Sequence, residues 1–249
     1  MPVAPSILKA IPVVRKAMTS PDTKDRHELG LYRALRKLFL YSDEIAANLE
    51  SIEALLALAP EIEGFRGKGS QMAANEFARS VSFLTYRVKE RLPLSKSTPD
   101  QFIKEAEVPA SAKDVIDCLE TLAAHAFSRT KGPPVRSRHA GELRAIAWQS
   151  LKRITEILRR PEHLAHSLKV AADNRAPIEE RTAAVGFLSE YWGSEDPDES
   201  TTNLLLELEK NSSDRSLLVT VLQVQIDLGL GDELGALFTV GDWDDNEEE

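Results

Sequence analysis

Histidines, a single cysteine and one glycine-rich loop hold most of the chemical potential of this 249-residue sequence. His163 and His166 stand three residues apart, which puts both rings on one face of a helix and within reach of a shared metal ion. Only Glu162 accompanies them, and no nearby carboxylate follows at a ligand spacing. Lysines and arginines flank the pair, so it reads as a solvated surface helix without a metal. His27, His125 and His139 have no Ser or Cys partner in a nucleophile motif. Cys118 shares an apolar stripe with Leu119 and Leu122, the pattern of a buried small hydrophobe. One cysteine also excludes an intramolecular disulfide and a cysteine-based zinc site. The expectation is a protein that is not an enzyme, with no catalytic residue, cofactor or metal.

The loop over residues 64–70 reads Gly, Phe, Arg, Gly, Lys, Gly, Ser. A phosphate loop requires Gly, four residues, then Gly-Lys-Ser/Thr between a strand and a helix. Here Gly69 follows Lys68 and a helical pattern precedes the loop, so nucleotide hydrolysis is not expected. What remains is an anion site made of Arg66, Lys68 and Ser70 at the start of the next helix. It is weighed against a flexible interhelical turn kept soluble by two cations.

Charge is distributed unevenly. Residues 1–170 hold 27 Lys and Arg against 20 Asp and Glu (+7), residues 171–249 hold 4 against 20 (−16), and the sum is the net −9. The basic surplus peaks over residues 127–169, where Arg129, Lys131, Arg136 and Arg138 belong to the candidate partner-binding set. Those cations suit a phosphate backbone, yet the acidic third of a chain with pI 5.2 would repel the same polyanion. Phe127 and Trp148, the aromatics available for stacking, fall at apolar helix positions. Nucleic-acid binding through residues 127–169 is therefore the alternative reading. At the other end, Trp243 lies among Asp242, Asp244 and Asp245. A large apolar anchor inside such charge could be steered to a basic groove, in a partner or in the 127–169 region of another copy. A solubilising terminus is the plainer account.

The elements that must position these residues are helical throughout. Apolar residues recur at three- and four-residue spacing and alternating runs are nearly absent, which predicts an all-α fold. Residues 6–18 carry one stripe, with Pro12 delaying or bending the helix. A long helical stretch over residues 21–60 is expected to split at Ser42, where Asp43 and Glu44 suit a first turn, and to end at Pro60 and the 64–69 loop. Further helices are expected over 70–92, from a capping box at Thr98, and from Ser111. Gly132, Pro133 and Pro134 exclude a helix from the basic loop. No run approaches 18 apolar residues, and Lys9 and Arg15 interrupt any leader core, so no membrane contact and a cytoplasmic location are expected.

Three segments share a frame aligned on an arginine. They are Glu142 and Arg144 with Ala147 and Leu151, Glu180 and Arg181 with Ala184 and Leu188, and Asp214 and Arg215 with Leu218 and Leu222. First helices are expected before the second and third copies, over residues 163–172 and 202–210. This pattern resembles HEAT or armadillo-like repeats over residues 138–235. The resemblance implies an α-solenoid-like stack with an interaction surface along one face. The expected organisation is a helical bundle (1–128), a basic loop (129–137), HEAT-like repeats (138–241) and an acidic tail (242–249). The expected function is a non-catalytic scaffold, adaptor or inhibitor whose partner is another protein, one with a basic surface being the natural complement to so acidic a chain.

Overall fold

The structure, a computed structural model, describes residues 35–36, 40, 42–64, 70–92, 112–131 and 138–230. Every regular element among them is helical: α1 Ser42–Ala46, α2 Leu49–Leu56, α3 Ala59–Gly64, α4 Ser70–Lys89, α5 Lys113–Thr130, α6 Arg138–Thr155, α7 Pro161–Ala172, α8 Ile178–Trp192, α9 Glu199–Asn211 and α10 Arg215–Asp227. The all-α expectation holds for these residues. None of these helices is long and apolar enough to cross a membrane. The helices expected over 6–18 and from Thr98 lie outside the described residues, as does the 65–69 part of the glycine-rich loop.

Local chemistry explains most boundaries. Asp198 Oδ1 accepts from Thr201 N at 2.8 Å to cap α9, and Asp214 Oδ1 accepts from Leu217 N at 3.0 Å to cap α10. Pro161 opens α7, where its missing N–H is one of the donors that a first turn leaves unused anyway. Gly193 takes φ 55° where α8 ends, a conformation that costs a glycine little. The expected helix from Ser42 to Pro60 divides differently. Asn48 adopts extended backbone and its side chain accepts from Glu50 N and Ser51 N, so it ends α1 and starts α2. Pro60 does not end a helix; it sits in the first turn of α3, where its ring meets no preceding turn.

Helices α4, α6, α8 and α10 touch in that order. On the other side α7 touches α9, and α5 meets α7 through Phe127 against the His163 ring, centroids 4.4 Å apart. The pairs α5/α6, α7/α8 and α9/α10 join the two rows. Trp148, Phe77 and Phe187 are the largest fully buried side chains, and one apolar cluster runs from Leu35 to Leu228. Helix α6 packs on α4 and α5 as well as on α8, so the core is continuous across the basic loop. Cys118 lies in this core, and burial pushes its thiol up, which keeps it protonated.

Close approach of α6 to the start of α8 requires Gly141. A Cβ there would stand 2.7 Å from Pro177 Cβ, whereas one at Gly186 would meet only Thr220 Cγ2 at 3.8 Å. Gly141→Ala is therefore expected to destabilise the fold by about 1–3 kcal/mol. Gly186→Ala should stabilise it by up to about 1 kcal/mol through helix propensity alone. Urea unfolding of the two variants against the wild type checks the contrast.

Candidate functional site

The middle of α4, the C-terminal end of α5, the first three turns of α6, the C-terminal half of α7 and the start of α8 line a cleft of two adjoining lobes. The first, about 240 Å³, has Phe77, Val81, Ala126 and Ala147 in its wall, with His125, Arg129, Lys131 and Arg144 among its polar lining. The second, about 530 Å³, is lined by Thr130, His166, Lys169, Asp173, Arg175 and Glu180 among others. Lys131 and Arg144 belong to both lobes.

The sign of the cleft follows from how its charges are partnered. Arg144 Nη1 donates to both carboxylate oxygens of Glu180, each at 3.3 Å, from α6 across to α8. Glu180 is 1% exposed, and burial pushes its carboxyl up while the Arg144 charge pulls it back. Asp173 accepts from Arg175 N at 2.9 Å and lies 3.6 Å from Arg175 Nε. Both lining carboxylates are thus engaged by arginines, and the lysines decide the balance. Lys131 Nζ stands 3.8 Å from the Phe127 ring centroid, a cation–π contact that holds its ammonium at the mouth. Lys169 extends the cationic lining along α7.

Beside the cleft lies an aromatic cluster whose two histidines were expected on a solvated helix face and whose Phe127 and Trp148 were expected at apolar positions. His166 stacks on Trp148 with centroids 5.4 Å apart and meets Phe127 edge-on at 5.5 Å. Its Nε2 lies 3.1 Å from the Thr130 carbonyl, so Nε2 carries the proton that it donates there. His163 is buried against Phe127. The expected solvated pair is thus a packing pair, because α7 turns that face toward α5 and α6. Burial pulls His163 down to about 4, and burial with Arg129 nearby does the same to His125; His166 is lowered too, chiefly by burial.

The structure brings two of the predicted partner-binding residues, Arg129 and Lys131, into the cleft at the end of α5. Arg138 is in the first turn of α6 and Ser70 opens α4, but their side chains lie outside the described residues, as do Arg66, Lys68, Arg136, Trp243, Asp244 and Asp245. Lys169 was read only as part of the basic 127–169 surplus, and Arg175 and Glu180 were missed as site residues. The arginine-aligned frame held the available signal for Glu180, since it immediately precedes Arg181, the counterpart of Arg144 in the next copy.

Fold and cleft define an all-α protein with a cationic cleft built between packed helices. Comparison with known protein families, with curated proteins and with solved structures found no match.

Two outcomes follow. Replacing Arg144 by Met strands a buried carboxylate and is expected to cost about 3–5 kcal/mol, with partial recovery when Glu180 is also made apolar; a double-mutant cycle in urea measures both. The depressed histidines fix the acid response. The unfolded chain binds protons near the ordinary value of 6.5 while His125 and His163 resist until about 4. Stability is therefore full above pH 6.5 and falls below it, by up to about 1.4 kcal/mol per pH unit for each neutral histidine. A His163→Gln variant should lose part of that slope in urea titrations across this range.

Proposed function

We propose that the protein is a non-catalytic interaction scaffold, a HEAT-like stack of helical pairs whose cationic cleft receives an acidic segment of a partner protein. The observation that carries the reading is the buried ion pair between two helices of the arginine-aligned frame. Arg144 of α6 reaches Glu180 of α8, and Arg181, the counterpart of Arg144 in the next copy, donates from Nε to the Ala171 carbonyl of α7 at 3.0 Å. Both arginines of the frame thus tie their helix to a neighbour, as stacked pairs require.

The partner chemistry is read from the cleft and not from the acidic third, because the cleft is the concave feature with a consistent sign. An apolar wall beside lysines suits a peptide with an anchoring side chain among carboxylates. The histidines support a binding role: His163 is buried against Phe127, and the half-buried His166 has its ring stacked on Trp148 and its Nε2 proton on the Thr130 carbonyl. Nucleic acid fits less well: Trp148 is fully buried and Phe127 is covered by Lys131 and two histidines, so neither offers a face to a base.

Affinity capture from host lysate, with and without nuclease, tests this. A stoichiometric protein that survives nuclease is expected, with recovery reduced about tenfold by Lys131→Glu combined with Lys169→Glu, equivalent to about 1.4 kcal/mol. Recovery that vanishes with nuclease would replace the protein partner by nucleic acid. Capture indifferent to the charge reversal would remove the cleft from the interaction.

A further inference from the structure

We infer that the cleft has an internal occupant, segment 242–249 of the same chain, seated with Trp243 in the apolar-walled lobe and its carboxylates against Lys131 and Lys169. The inference rests on the cleft being the interaction surface, and it makes the chain its own competitor for that surface.

Three observations converge on this occupant. The first is charge. Segment 242–249 carries Asp242, Asp244, Asp245, Glu247, Glu248 and Glu249 and no cation, while the carboxylates native to the cleft are held by Arg144 and Arg175. Its acids therefore meet lysines whose charge no lining carboxylate has taken up. The second is pattern. The cleft sets an apolar wall (Phe77, Val81, Ala126, Ala147) next to a cationic lobe, with Lys131 at the junction. The segment has one large apolar residue immediately flanked by acids, so anchor and charge can be satisfied side by side.

The third is reach. The described chain ends at Leu230, just past α10, and α10 contacts α8, which contacts α6. Two helix-to-helix steps of about 8–10 Å separate α10 from α6. Retracing the 13 residues of α10 adds about 20 Å. Taken at right angles, the two legs give a straight-line span of about 26–28 Å, within the roughly 36–40 Å that residues 231–241 reach when extended. Capture of the segment by the cleft of its own copy is then intramolecular and independent of protein concentration, unlike capture by a second copy.

Carbodiimide cross-linking of the full chain tests this, because the reagent joins a lysine amine to a carboxylate only where the two meet. The expected products link Lys131 or Lys169 to the carboxylates of 242–249, within one copy when isotopically light and heavy chains are mixed. Trp243→Ala and Arg175→Glu, which leave both amines in place, should each lower the yield by about fivefold. Trp243→Ala should also raise partner capture. Cross-links between light and heavy chains would overturn the internal occupant in favour of a second copy. Cross-links scattered equally over lysines such as Lys89 and Lys210, or undiminished by Trp243→Ala, would overturn it altogether. Capture that responds to the Lys131/Lys169 reversal without any tail cross-link would sink this inference alone and leave the scaffold reading standing.

Discussion

Helix α6 must satisfy neighbours on several sides at once, and the rest of the described structure depends on that. It packs on α4 and α5 toward the start of the chain and on α8 toward the end. Trp148, Leu151 and Ile154 supply the apolar burial. Polar contacts set the register: Arg144 reaches Glu180, and Arg153 Nη1 donates to the Ser82 carbonyl at 2.8 Å and to Ser82 Oγ at 2.9 Å. Burial of this kind is non-directional, so it would tolerate some sliding of one helix over another. The buried ion pair would not, because a shift that parts Arg144 from Glu180 leaves a charge stranded in a poor dielectric.

The same pair shapes the cleft. Were Glu180 free to face the lining, it would answer Lys131 and Lys169 from within and erase the sign of the surface. Held by Arg144, it contributes structure and little outward charge. Asp173 is handled similarly through Arg175. Fold and site are thus one arrangement: the contacts that align neighbouring helices also turn the lining carboxylates toward arginines and away from the lysines. The aromatic layer from His163 through Phe127 and His166 to Trp148 joins α5, α6 and α7 beside the cleft.

Much of the helical content was legible because apolar spacing is a local property. The stripes on α4, α5, α7 and α10 are visible from the sequence, and the arginine-aligned frame pointed to the second helices α6, α8 and α10. Two boundaries were misread for equally local reasons. Asn48 capped α2 inside what looked like a continuous stripe, and Pro60 began a turn where a stop was expected. The histidines show a different limit. A three-residue spacing says that two rings share a face, but not whether that face meets water or Phe127 and Trp148. For the cleft, the basic segment was apparent and Arg129 and Lys131 lie in it. Its inward acid Glu180 was not, since its pairing with Arg144 depends on a contact across 36 residues.

The order of contacts also bears on how the molecule comes apart. Among the described helices, α9 and α10 find their substantial neighbours in α7, α8 and each other, whereas α6 is braced from both directions. Protection against amide exchange should consequently be graded among the described helices, strongest around α6 and weaker in helices braced from one direction, such as α3 and α9. Opening of α9 and α10 would uncover the flank of α8 and leave the contacts among α5, α6 and α7 in place. The cleft therefore sits beside the best-braced part of the described molecule.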